Sequence, residues 1–172
     1  MKRIAVVIPP EKFRDEELFT PLQEWKKAGI ETTLFSTVLT HVTGDLGGKV
    51  TPQALLESLN PDEYDAIAVI GGTGTITHLW GNETLRSALH KFYEAHKATT
   101  AICAGSVTLA RAGLLTGRDA TTYPAELMID ELKKYGARYK NVHAITTGSI
   151  VTGDGPDGAK EYADHVISLL NA

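Results

Sequence analysis

The sequence predicts an α/β domain built on a mostly parallel sheet with helices on both faces. Three observations carry this. Ile4–Ile8, Ala66–Ile70 and Thr99–Cys103 are short, continuous apolar runs, as expected of strands buried on both sides. Stretches with helical spacing of apolar residues alternate with them, which is the pattern of crossover units on a parallel sheet. The chain has 172 residues, 42% hydrophobic and 22% charged, which suits one globular domain over residues 1–172 rather than two domains or a disordered segment.

The elements follow in order. Ile4–Ile8 is the first strand, and Pro9-Pro10 stops it. Asp15–Ala28 reads as a helix, with Leu18, Leu22 and Trp25 on one face and Gly29 as its stop. Glu31–Phe35 is a second strand. Residues 37–52 are polar and carry Gly44, Gly47 and Gly48, so a loop or small hairpin is expected. Pro52–Leu59 suggests a short helix. Ala66–Ile70 is a third strand that runs into the loop Gly71-Gly72-Thr73-Gly74-Thr75. Glu83–His96 is helical, with Leu85, Leu89 and Phe92 aligned. Thr99–Cys103 is followed at once by a helix through Ala112, capped by Gly113. Leu127–Tyr135 is helical, Ala144–Thr147 and Ile150–Thr152 read as paired strands, and Pro156 opens a closing helix with Ala159, Ala163, Val166 and Leu170 as its stripe.

Composition narrows the function classes. The net charge is −4 and no basic block stands out, so neither nucleic acid nor an anionic membrane is an expected partner. The six histidines are scattered, and none has ligand spacing with the single cysteine, so no metal site is expected. A single cysteine excludes an internal disulfide and fits a reducing compartment. The first apolar run is about five residues, too short for a signal-peptide core. The expected setting is the cytoplasm.

In open parallel sheets the working residues lie at the carboxyl ends of the strands. Three segments end there: the turn after Ile8, the glycine loop at 71–75, and Cys103. Ala101-Ile102-Cys103-Ala104-Gly105 puts a nucleophile between small residues two positions away on each side. A sharp strand-to-helix elbow demands this, because larger side chains there collide. The amides of the first helical turn then face the sulfur. They are expected to lower its pKa, and the Ala104 N–H is placed to hold a developing oxyanion. The same five residues also fit an inert, buried core cysteine. The glycine loop lacks the lysine of a phosphate-binding loop and the spacing of a dinucleotide fingerprint. Close approach of backbone to a reacting oxygen explains it better. Thr73, His78 just beyond it and Tyr123 are candidate pocket residues; His78 is a candidate base or a structural residue, Tyr123 a hydrogen-bond donor or a packing group at the rim.

Several stretches resemble the ThiJ/PfpI superfamily (the DJ-one family): Phe13-Arg14-Asp15-Glu16-Glu17-Leu18 with Pro21 after it, Asn60-Pro61-Asp62-Glu63-Tyr64-Asp65-Ala66 leading to Gly71-Gly72, Ala101–Gly105, and Ala120-Thr121-Thr122-Tyr123-Pro124. Gly153-Asp154-Gly155-Pro156 is a looser match. The resemblance spans nearly the whole chain and implies a flavodoxin-like three-layer sandwich with a nucleophile elbow. It places Cys103 on the family's elbow cysteine, Glu17 on the glutamate that hydrogen-bonds its sulfur, and Gly72 and Ala104 on the backbone donors of an oxyanion hole. It also implies self-association, with a homodimer as the default and a hexamer of dimers as the larger form, and a contact through Thr37–Pro52.

Glu17 has a physical case of its own. It stands early in the helix after the first strand, over the same sheet end as Cys103. A carboxylate beside a thiolate repels it and raises both pKa values, and a proton shared by the pair removes the conflict. Two departures from the family matter. Ala104 stands where the proteolytic branch has a histidine, which weighs against a cysteine peptidase. Tyr123 stands where the human-like branch has a histidine. The resemblance then implies a cofactor-independent enzyme of the glyoxalase or deglycase type, acting on small reactive aldehydes. Alternatives are a redox-sensing stress-response or chaperone protein with an oxidisable Cys103, an isonitrile hydratase-like lyase, and, behind these, a cysteine peptidase. Ala110–Arg118 resembles the isonitrile hydratase branch, whereas Glu17, in place of its usual aspartate, does not.

Overall fold

A computed structural model describes residues 1–172. The strands are β1 (Arg3–Val7), β2 (Glu31–Ser36), β3 (Val42–Thr43), β4 (Lys49–Val50), β5 (Ala54–Leu55), β6 (Ala66–Val69), β7 (Ala98–Ile102), β8 (Asp119–Ala120), β9 (Arg138–Tyr139), β10 (Ala144–Thr147) and β11 (Ile150–Gly153). The helices are α1 (Asp15–Lys27), α2 (Thr73–His78), α3 (Glu83–Glu94), α4 (Gly105–Arg111), α5 (Glu126–Lys134) and α6 (Ala159–Leu170).

Seven strands form the central sheet in the order β10-β11-β7-β6-β1-β2-β5. Every pairing in it is parallel except β10 with β11. Residues 4–8 and 66–70 are fully buried because these strands have neighbours on both edges and helices on both faces. This is the α/β sandwich that the alternating pattern predicts. On one face α1 packs on α6. Trp25 joins them, donating its indole N–H to the Ala163 carbonyl at 3.2 Å and meeting the Tyr162 ring edge-on at 6.1 Å. On the other face α3 and α4 lie against β7. No helix is long and apolar enough to cross a membrane.

Two segments depart from the sequence reading. Pro52–Leu59 is not a helix. Ala54–Leu55 joins the sheet edge beside Phe35–Ser36, and only Leu56–Ser58 makes a 3-10 turn. The apolar spacing there serves either geometry, and pairing with β2 decides it. The glycine loop is the start of a helix. Gly72 takes φ 125°, and α2 begins at Thr73 although its residues are poor helix formers. Tertiary bonds hold that turn: the Thr75 hydroxyl donates to the Ile70 carbonyl at 2.8 Å, and the Gly74 amide to the Lys12 carbonyl at 3.0 Å. The short pair β8–β9 carries no sequence signal. The hairpin expected within 37–52 is present as β3–β4.

Candidate active site

The sheet order sets adjacent to one another the ends of β1, β6 and β7. Each is followed by a residue of the site: Glu17 in the first turns of α1, Gly72 after β6, and Cys103 after β7. Cys103 adopts φ 59°, a conformation that costs an ordinary residue about 1–2 kcal/mol and is kept only where the surroundings enforce it. The surroundings are specific. The Cys103 amide donates to the Gly153 carbonyl at 2.9 Å. Its carbonyl accepts from the Thr122 hydroxyl at 2.8 Å and from the Ser106 amide at 3.1 Å. The Trp80 indole donates to the next carbonyl, that of Ala104, at 2.8 Å. Gly105, two residues past the cysteine, lies so close to β6 that a Cβ would run into the Val69 carbonyl. This is the collision the small flanking residue avoids.

Cys103 is 6% exposed and opens into a cleft of about 190 Å³. Arg14, Glu17, Asp45, Gly72, Thr73, Ile76, Tyr123, Met128 and Pro156 line the rest of it. Glu17 is fully buried, and neither carboxyl oxygen has a conventional hydrogen-bond partner. Its polar neighbours are the Cys103 sulfur and the Gly71 backbone. Gly71 has no room for a side chain, since a Cβ would strike the Glu17 carboxyl and stand 2.7 Å from the Cys103 Cβ.

Burial pushes the Glu17 carboxyl up to about 8, against weaker downward pulls from the Cys103 contact and the Arg14 charge. Glu17 therefore holds its proton at neutral pH. The Cys103 thiol is also pushed up, first by burial and then by any charge on Glu17. The amides of Ala104 and Gly72 donate toward the sulfur and pull the other way. The sequence predicts a net lowering from those amides; burial outweighs them, which corrects that expectation. With Glu17 protonated that repulsion vanishes, burial favours the neutral form of both groups, and the pair titrates as a unit.

Of the predicted site residues, Cys103, Glu17, Gly72, Thr73 and Tyr123 line the cleft, and Ala104 turns its amide toward the sulfur. His78 does not line it. It lies at the far end of α2, where its Nε2 pairs with the Glu11 carboxylate at 2.8 Å. Arg14 and Asp45 are cleft residues that the sequence does not single out. Arg14 forks onto Glu16 at 2.8 and 3.1 Å. Asp45 reaches over from the β3–β4 loop to Thr73. Asp15 pins that loop by accepting from the Leu46 amide at 2.8 Å and the Gly48 amide at 2.7 Å. The arrangement can place a soft nucleophile, a proton carrier and two backbone donors around one small carbonyl group.

Known proteins share the sequence and fold of this chain. An uncharacterized protein of Methanocaldococcus jannaschii is 39% identical over 98% of this chain and 82% of its own length. A deglycase of Pyrococcus abyssi is 27% identical over 96% of this chain and 98% of its own. The crystal structure of a ThiJ/PfpI domain protein from Brachyspira murdochii superposes with a TM-score of 0.94 at 28% identity, covering 98% of this chain and 96% of that one. Residues 2–169 match the DJ-1/PfpI family, and the chain belongs to it.

Proposed function

We propose that this protein converts small 2-oxoaldehydes to 2-hydroxy acids, with Cys103 as nucleophile and Glu17 as proton carrier. The observation that carries the reading is the Cys103 sulfur at a left-handed elbow, facing a buried, protonated Glu17 and two backbone amides. The deglycase name of the Pyrococcus relative supports an enzyme of this kind.

The steps balance without a cofactor. The thiolate adds to the aldehyde carbon of methylglyoxal; a C–S bond forms and the carbonyl electrons move to oxygen. The Gly72 and Ala104 amides stabilise that oxyanion, and Glu17 gives it a proton. The Glu17 carboxylate then removes the hydrogen on that carbon as a proton and returns it to the neighbouring carbonyl carbon, while the hydroxyl proton passes to the oxygen of that neighbour. A hemithioacetal has become the thioester of a 2-hydroxy acid. Water displaces the sulfur, releasing lactate and restoring the thiolate and the protonated carboxyl. The small cleft limits the substrate to a few heavy atoms beyond the reacting carbonyl, or to an adduct whose remainder stays outside.

The test is lactate formation from methylglyoxal without glutathione. Wild type should turn over, while Cys103→Ser and Glu17→Gln should fall to the uncatalysed background. Equal rates in all three would refute the reading. A second reading draws on the same pair: Cys103 oxidised to a sulfinic acid that accepts a hydrogen bond from protonated Glu17. A gain of two oxygens confined to Cys103 after mild peroxide, with no aldehyde turnover, would favour it.

A further inference from the structure

The Ala104 amide belongs to the same peptide unit as the Cys103 carbonyl. That bond is trans, so the N–H and the C=O point in opposite directions. Whatever holds the oxygen aims the hydrogen. Two groups hold it: the Ser106 amide at 3.1 Å, which is part of the turn itself, and the Thr122 hydroxyl at 2.8 Å, which comes from a distant loop. Thr122 is fully buried. Its backbone is fixed nearby, because the Thr121 amide donates to the Thr152 hydroxyl at 3.0 Å and the Thr121 hydroxyl to the Val142 carbonyl at 3.1 Å. The hydroxyl therefore meets the elbow from a rigid support rather than a mobile loop.

We infer that Thr122 is a positioning residue that orients and polarises the Cys103–Ala104 peptide, so that the Ala104 N–H faces the sulfur and the oxygen of a bound carbonyl. The inference deepens the proposed function, on which its kinetic arm rests. A hydrogen bond to a peptide oxygen draws electron density from that peptide and makes its N–H a stronger donor. The Trp80 indole holds the following carbonyl, that of Ala104. Loss of the Thr122 bond therefore leaves this peptide plane held by the Ser106 amide alone, with the start of α4 in place. Thr122 touches no part of the substrate's path; it acts only through the backbone.

The experiment compares Thr122→Val, which removes the hydroxyl at similar volume, with Thr122→Ser, which keeps it. Thr122→Ala stands in if the valine variant does not fold. The first readout is the pH profile of Cys103 alkylation by iodoacetamide, which requires no aldehyde turnover. The titratable and charged groups around the sulfur, Glu17 from α1 and Arg14, Asp45 and Tyr123 lining the cleft, are unchanged in every variant. Thr122→Val should move the profile to higher pH, because the amide that favours the thiolate is mis-aimed, and Thr122→Ser should restore it. The second readout is methylglyoxal turnover. kcat should fall about 10-fold in Thr122→Val with KM unchanged, a fraction of the loss seen when an oxyanion donor is removed outright. If wild type shows no turnover, the proposed function fails and the alkylation profile still decides this inference. A folded Thr122→Val or Thr122→Ala protein whose profile superposes on wild type would overturn it, as would a shift that serine does not reverse.

Discussion

Asp45, in the β3–β4 loop, is fastened to Thr73 at the start of α2: one carboxyl oxygen accepts the Thr73 hydroxyl at 2.7 Å and the other its amide at 3.2 Å. Through Asp45 the loop contributes to the cleft wall, and it is held a second time by Asp15, which accepts from the Leu46 and Gly48 amides. Asp45→Ala should release that wall while leaving the elbow intact. The expected result is a KM for methylglyoxal raised about 5-fold, the equivalent of about one exposed hydrogen bond, with kcat little changed. Steady-state kinetics of the variant checks it.

Glu17 gives stability a sign in pH. Unfolded, the carboxyl ionises near 4.5; folded, it holds its proton until about 8. Between those values the native state binds more protons than the unfolded one, so stability falls as pH rises, by an amount on the order of a few kcal/mol. Glu17→Gln lacks this penalty. Its Tm should exceed that of wild type at the alkaline end of the window and converge with it at the acidic end, as thermal melts across that range would show. Activity should move the opposite way, because the variant has no proton carrier.

Gly71→Ala should damage both fold and site. The added methyl meets the Glu17 carboxyl, the Cys103 Cβ and the Ile102 carbonyl, and the last two are fixed by the backbone. A cost of about 1–3 kcal/mol is expected for such overpacking, which corresponds to a Tm lower by several degrees in a chain of this size. Calorimetry measures the first effect and iodoacetamide labelling of Cys103 the second.

His78→Ala should leave turnover within about 2-fold of wild type, as for surface substitutions away from a site. Its imidazole pairs with Glu11 on the outer side of α2 and does not border the cleft. A large loss of kcat would show that the helix rearranges during the reaction.

How much of this was legible in the sequence depends on the kind of signal. Buried parallel strands announce themselves as unbroken apolar runs, so β1, β6 and β7 and the sheet they imply could be read directly. The elbow could be read too, because its sterics leave only small residues beside Cys103. Helix α2 could not. Gly72, Thr73, Gly74 and Thr75 have no helical propensity to display, and the turn exists because Lys12, Ile70 and Asp45 accept its donors. Arg14 and Asp45 reach the cleft through backbone paths, set by α1 and the β3–β4 loop, that no local pattern encodes. The state of the thiol was misjudged for a related reason. Helix amides are visible in a strand–turn–helix motif, while the depth of burial that outweighs them is a property of the assembled layers.

Both groups that donate toward the Cys103 sulfur from the loop ends are main-chain N–H groups, supplied by Gly72 and Ala104. Short of proline, no side-chain replacement deletes them; it can only displace the backbone that carries them. That backbone half of the site is therefore tolerant of side-chain change as long as the sheet holds, whereas Arg14, Thr73, Tyr123 and Met128 meet the cleft through their side chains. A lineage carrying this fold can exchange one small substrate for another by changing the rim while inheriting the same reactive centre unchanged.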